Sequence, residues 1–391
     1  MTDNVLVLPP LSLYIHVPWC VRKCPYCDFN SHKADSTLPE KEYVSALLDD
    51  LDIDLAWLQQ QGVPARPIHS IFIGGGTPSL LSVEAYQALF TGLKQRLTFE
   101  DDIEITMEAN PGTFEAEKFR GYRKLGINRL SIGIQSFQDH QLKHLGRIHS
   151  GQEAINAVNM AKAAGFDNFN LDFMHGLPDQ TLEHALDDLQ KGIDLSPTHI
   201  SWYQLTIEPN TEFFKRPPKL PQDETLWAIQ EAGQQLLADN GYGQYEISAY
   251  AQNGKRAKHN LNYWQFGDYL GIGAGAHGKL TIPHIDLSQS KIYRTAKTRL
   301  PKDYLNLAKR FLVQQDNIEL EDRDLEFLMN ALRLYHGVDK QLFSERTGLP
   351  YSQIQQQVDN LVKQGLLEAG DKLKTTAQGQ LFLNELLERF L

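Results

Sequence analysis

Along the first half of the chain, short runs rich in β-branched and apolar residues alternate with longer stretches whose apolar positions recur at helical spacing. The strand candidates are Leu11 to Val17, Ser70 to Ile73, Ile103 to Glu108, Arg129 to Gln135, Phe169 to Met174 and His199 to Leu205. Between them Pro39 to Gln60, Val83 to Leu97, Glu115 to Leu125, Gly151 to Ala164 and Thr181 to Ile193 read as helices. Parallel strands need such crossovers, so this α/β pattern predicts either an open sheet or a barrel. Its six units fall short of the eight that close a full barrel, which favours a partial (β/α)6 barrel.

After Leu220 the pattern changes. Pro217-Pro218 and Pro221 interrupt the chain, a helix is expected over Asp223 to Asn240, and Gly241 to His277 reads as strands and loops laid against the barrel opening. From Glu319 onward the period is mostly helical, over Asp324 to Leu334, Asp339 to Arg346 and Tyr351 to Gln364, with a short hairpin from Gly365. Three helices and a wing predict an α+β, winged-helix-like module. The expected units are a barrel over 1–220, a covering region over 221–315 and a C-terminal domain over 316–391.

Composition narrows the setting. A 391-residue chain that is 41% hydrophobic can bury a large core. It has no apolar run of about eighteen residues to span a membrane and no secretory signal pattern. The formal charge of −11 argues against broad capture of nucleic acid or anionic lipid. The segment Tyr351 to Gln364 carries only Lys363 as a cation, so packing or partner docking is expected there rather than DNA contact.

The chemistry concentrates in one window. Cys20, Cys24 and Cys27 are the only cysteines, so they form no disulfide framework, but three thiolates can hold three irons of a [4Fe-4S] cluster and leave the fourth open. A zinc site completed by His16 or His32, and a redox dithiol at Cys24-Pro-Tyr-Cys27, are the alternatives. A thiolate-held cluster fits a reducing cytoplasm. The run Gly74-Gly75-Gly76-Thr77 after an apolar strand would let backbone approach a ligand. Glu108, Gln135 and Asp172 stand near the carboxyl ends of strand candidates, where barrel sites lie, and Arg147 could pair with a carboxylate.

Cys20-x3-Cys24-x2-Cys27-x-Phe29 resembles the signature of the radical S-adenosylmethionine (SAM) superfamily, whose members seat the amino and carboxylate groups of SAM on the open iron. The resemblance narrows to one branch, the oxygen-independent coproporphyrinogen III oxidases and the HemW-type haem chaperones. It runs from about Ser12 to the C-terminus, on Tyr14-Ile-His-Val-Pro-Trp-Cys20, Gly74-Gly-Gly-Thr-Pro78, Met107-Glu-Ala-Asn-Pro111, Gly133-Ile-Gln-Ser-Phe137, Asp172-Phe-Met-His-Gly-Leu-Pro178 and Trp202-Tyr-Gln-Leu-Thr206. It implies that Tyr14, Gly75 and Glu108 meet the SAM on the cluster. It also implies that Tyr26, Gly76, Thr77, Gln135, Arg147 and Asp172 correspond to a second SAM pocket in the oxidase. Thr77 replaces the acid that usually ends the glycine segment.

Two departures point away from the oxidase and towards the chaperone: Phe29 stands where the oxidase has a fourth cysteine, and only thirteen residues precede Tyr14. His259-Asn-Leu-Asn-Tyr-Trp264 matches the HNxxYW segment tied to haem in the chaperone group, and a neutral imidazole can ligate haem iron. His16, His175, His199 and His277 compete for that role. The resemblance therefore implies haem, SAM and a [4Fe-4S] cluster as ligands, and apo-haemoproteins of the respiratory chain as acceptors. An electron donor is implied if the cluster is reduced, and the location is cytoplasmic, with peripheral membrane contact left open. The alternative is a radical SAM enzyme that decarboxylates coproporphyrinogen III.

Overall fold

A computed structural model of the chain describes residues 6–35, 37–113, 115–286, 289–306 and 308–391. Six strands run in parallel in chain order: β1 (Leu11–Val17), β2 (Ile68–Gly75), β3 (Phe99–Ala109), β4 (Arg129–Gln135), β5 (Phe169–His175) and β6 (His199–Gln204). The expected crossovers are α1 (Glu40–Gln60), α2 (Val83–Arg96), α3 (Ala116–Leu125), α4 (Gly151–Ala163) and α5 (Leu182–Asp194). Local chemistry sets their ends. Ser150 and Glu153 form a reciprocal capping box that starts α4, Thr181 caps α5, and Gly126 at φ 108° ends α3 in the left-handed conformation.

Register gives the sheet two unlike faces. Across β1 to β6, Ser12 lies beside Ser70, Ser70 beside Glu104, Glu108 beside Ser131, Ser131 beside Asn170 and Asn170 beside His199. The alternate positions, such as Leu13, Ile71, Ile105, Leu130 and Ile200, share one buried core with Leu47 of α1, Leu89 of α2, Phe119 of α3, Val158 of α4 and Leu189 of α5. A period of two thus sends the apolar set under the helices and a polar set into the barrel interior. Closed eight-strand barrels fill that space with branched apolar side chains; here it carries polar and aromatic side chains and holds cavities.

Beyond α6 (Asp223–Asp239), the stretch expected to lie against the opening also extends the sheet at both edges. β7 (Gly243–Glu246) and β8 (Ala249–Ala251) add antiparallel to β6, while β9 (Asp268–Ile272) joins parallel to β1. β10 (His277–Ile282), β11 (Lys291–Lys297) and β12 (Leu312–Asn317) continue outward from β9, giving twelve strands in the order β12-β11-β10-β9-β1-β2-β3-β4-β5-β6-β8-β7. Between β8 and β9, the short helix α7 (Lys258–Trp264) packs on β2 and β3.

The three longer C-terminal helices are α8 (Arg323–Ala331), α9 (Lys340–Thr347) and α10 (Ser352–Lys363), and two short helices, Ala377–Leu381 and Leu383–Leu387, follow them. The wing is slighter than a full hairpin: Lys372–Leu373 pairs with Val338–Asp339, and Leu367 bridges Thr375. The core beneath these helices is continuous with Tyr245, Ala249, Phe266 and Ile292, so strands of the sheet and the C-terminal helices bury one another. Among the described residues no helix is long and apolar enough to cross a membrane.

Candidate functional site: two adjoining cavities in the barrel

The cysteine loop leaves β1 through the bridge pair Trp19–Cys20 and His32–Lys33. It is pinned by its own backbone, with the Ala34 amide donating to Cys20 O at 2.8 Å and the Cys27 amide to Cys24 O at 3.1 Å. Lys23 Nζ donates to Phe29 O at 3.0 Å and ties the loop across its middle. Cys20, Cys24 and Cys27 all line one cavity of about 280 Å³ at the carboxyl ends of β2 to β5. Burial pushes the thiols of Cys20 and Cys27 up, and a hydrogen bond from Ser31 opposes it. Thiolates there need a positive partner. Among the described residues no three His, Cys, Asp or Glu side chains gather closely enough to hold a single ion.

Facing the thiols are Tyr26, Gly75, Gly76, Thr77, Glu108, Gln135, Arg147 and Asp172, every SAM candidate except Tyr14. Arg147 donates from Nη1 to Cys24 Sγ at 3.7 Å and from Nη2 to Gly133 O at 2.8 Å. A register shift between Gly133 and Gln135, with Gln135 at φ 61°, ends β4 in a bulge at the cavity wall. Gln135 Oε1 and Arg147 Nε are buried with no hydrogen-bond partner, as expected of groups that await a polar ligand. Burial, then the Asp172 charge, push Glu108 from 4.5 up to about 8 against a hydrogen bond from the Gly75 amide. Asp172 is also raised by burial, in opposition to hydrogen bonds from Ser131 and Asn170. Three thiols, a pair of strained carboxyls and unpaired amide and guanidinium atoms fit a [4Fe-4S] cluster with SAM on its open iron.

The glycine run has two reasons to be bare. At φ 115°, a Cβ on Gly75 would meet His16 Cε1 at 2.6 Å, and one on Gly76 would meet Trp19 O at 2.3 Å. Protein atoms crowd these glycines whether or not a ligand is present.

Tyr14 lines a second, larger cavity of about 780 Å³, with its ring over Phe72 at 6.1 Å and its hydroxyl bonded to His16 Nδ1 at 2.8 Å. His259, Asn260, Tyr263 and Trp264 of α7 line the same space. Phe29, Gly75 and Glu108 belong to the walls of both cavities, and Phe29 is 59% exposed.

Of the competing histidines, His16 and His277 line the larger cavity, His175 packs on Trp202 at 4.3 Å, and His199 is locked between Asn170 and Tyr245. Reading the sequence missed Glu104, whose carboxylate bonds His259 Nδ1 at 3.1 Å. Burial would raise Glu104, but that bond and the Arg129 charge hold it at about 2. Tyr203, on the smaller cavity wall, was matched only as part of a motif. The period-2 pairing of Glu104 with Glu108 on β3 is the signal that could have found the first.

The profile of the Radical SAM superfamily matches residues 14–191, and that of the HemN C-terminal domain matches residues 318–382. The chain is 57% identical to Heme chaperone HemW of Haemophilus influenzae over 385 residues, 98% of each chain. It is 54% identical to Heme chaperone HemW of Escherichia coli, covering 98% of this chain and 99% of that one. This chain belongs to the HemW family of radical SAM proteins. This HemW-family chain shares its fold with coproporphyrinogen III oxidase (HemN) from Escherichia coli, at a TM-score of 0.79 and 22% identity over 98% of this chain and 90% of that one.

Proposed function

We propose that this chain carries haem, holds a [4Fe-4S] cluster with SAM on its open iron, and hands haem to apo-haemoproteins of the respiratory chain. One observation carries the reading: the large cavity lined by His259, Tyr263 and Trp264 shares Gly75 and Glu108 with the cavity of the three thiols. Its relatives bear the name Heme chaperone HemW, which supports haem as the occupant.

Cys20, Cys24 and Cys27 would hold three irons, and Glu108, Gly75, Gln135 and Arg147 would orient the ligand on the fourth. When bound, the cluster supplies an open iron for SAM and a store for one electron. The chain's own work is to bind and orient. His259 offers an imidazole and the aromatic residues offer flat apolar surface, while Glu108, raised to about 8 by burial, would release its proton to solvent and accept a hydrogen bond from the ligand's amino group. A cytoplasmic location and an external electron donor complete the proposal.

The test is transfer. Anoxically reconstituted protein is loaded with haem, separated from free haem and mixed with an apo-haemoprotein, and the acceptor's Soret band is followed with and without SAM. Growth of that band without coproporphyrinogen decarboxylation supports the carrier. Decarboxylation on reduction, with no transfer, would replace it with the enzyme reading.

A further inference from the structure

We infer that Glu104 is the positioning residue that fixes the tautomer of His259 and presents its Nε2 lone pair to the large cavity. The inference rests on the haem-carrier reading for its purpose, but its geometry stands on the chain's own atoms. Glu104 Oε1 accepts the Lys258 amide at 3.0 Å and the His259 amide at 3.4 Å, so it caps the first turn of α7. An oxygen that already receives two backbone N–H groups faces His259 Nδ1 as an acceptor, so Nδ1 carries the hydrogen. Nε2 is then the unprotonated nitrogen. Phe72 lies 4.3 Å from the ring, ring centre to ring centre, and restricts its rotation.

The strand explains the aim. Glu104 and Glu108 stand four residues apart on β3 and point to one side, the first towards α7 and the second into the wall between the cavities. Arg129 Nε from β4 lies 3.9 Å from the other Glu104 oxygen, beyond hydrogen-bond reach, where its charge favours the ionised carboxylate, and both side chains are buried. A histidine that gives one ring N–H to a carboxylate presents the other nitrogen as a fixed, more basic donor to a metal. Among the described residues neither competing histidine on that cavity has a carboxylate partner: His16 bonds Tyr14 and the Asn30 carbonyl.

The experiment has two arms on the full-length protein. Nitrogen-15 NMR of imidazole-labelled apo-protein should show His259 with Nδ1 protonated and Nε2 bare in the parent. Glu104→Gln keeps an acceptor oxygen and should retain that tautomer, while Glu104→Ala should lose it. In the haem-loaded arm, Glu104→Ala should weaken binding about 10- to 100-fold. Glu104→Gln should raise the iron's reduction potential, and it should do neither in a His259→Ala background. A parent with Nε2 protonated, or a folded Glu104→Ala protein with an unchanged tautomer, overturns the assignment to Glu104. A haem spectrum indifferent to His259→Ala overturns the ligand reading itself, and the inference falls with it.

Discussion

The amide of Gly75 donates to Glu108 Oε2 at 3.0 Å, and both residues stand in the wall that the two cavities share. Whatever binds beside the thiols therefore touches a group that also borders the aromatic cavity. Replacing Glu108 with Gln should weaken SAM binding by about 1.5–3 kcal/mol, the range for a charge-assisted hydrogen bond, or roughly ten- to a hundredfold. The change in the cluster's electron paramagnetic resonance spectrum on titration with SAM is the readout. Gly75→Val is a poor companion, because its side chain would strike His16 and damage the loop.

Proton linkage adds a second expectation. With Glu108 raised from 4.5 to about 8, it keeps a proton that must leave before the carboxylate can accept a hydrogen bond from the ligand's amino group. SAM affinity should therefore rise with pH through about 8 in the parent and be flatter in Glu108→Gln. The same shift makes the folded chain bind more protons than the unfolded chain between 4.5 and about 8. Stability from this group then falls as pH rises through that window. Calorimetric binding at pH 6 to 9 checks the first part, and urea melts check the second.

Each of the three cysteines should be needed for the cluster. Cys20→Ala, Cys24→Ala or Cys27→Ala leaves two thiolates for four irons, so iron, sulfide and the visible absorbance should be lost together after anoxic reconstitution. Stable zinc in the parent with no iron-sulfur absorbance would contradict this. Arg147→Gln should keep the cluster and lower its reduction potential, since it removes a cation 3.7 Å from the Cys24 sulfur.

At the edge of the larger cavity, Lys297 Nζ binds Asp50 Oδ1 at 2.6 Å and Asp54 Oδ1 at 2.7 Å in the interior, joining β11 to α1. Lys297→Met would strand two buried carboxylates, and a loss of about 3–5 kcal/mol is expected in urea unfolding. Lys297→Met with Asp50→Asn and Asp54→Asn should recover part of it.

Much of this was legible in the sequence because strand and helix periods differ, and the six parallel strands and their crossovers lie where those periods change. The cysteine spacing located the smaller cavity, and eight of the nine SAM candidates line it. Tyr14 lies next door, because the alternation along β1 aims it with Ser12 and His16 towards β9 and α7, which follow some 250 residues later in the chain. That distance is why sequence reading could not place it. The glycine run reads as room for a ligand, yet His16 and Trp19 already press on it, contacts that no local pattern announces. Glu104 was hidden differently: a polar residue alternating with Ile103 and Ile105 reads as the wet side of a half-buried strand, and only a polar barrel interior turns it inward.

Haem titration of the reconstituted parent and of His259→Ala, with a coproporphyrinogen decarboxylation assay on the same samples, tests the central claim most directly. The parent should bind about one haem per chain, His259→Ala should shift or weaken the Soret band because iron loses an axial imidazole, and neither should decarboxylate. No haem bound by the parent, or robust decarboxylation by it, would contradict the account.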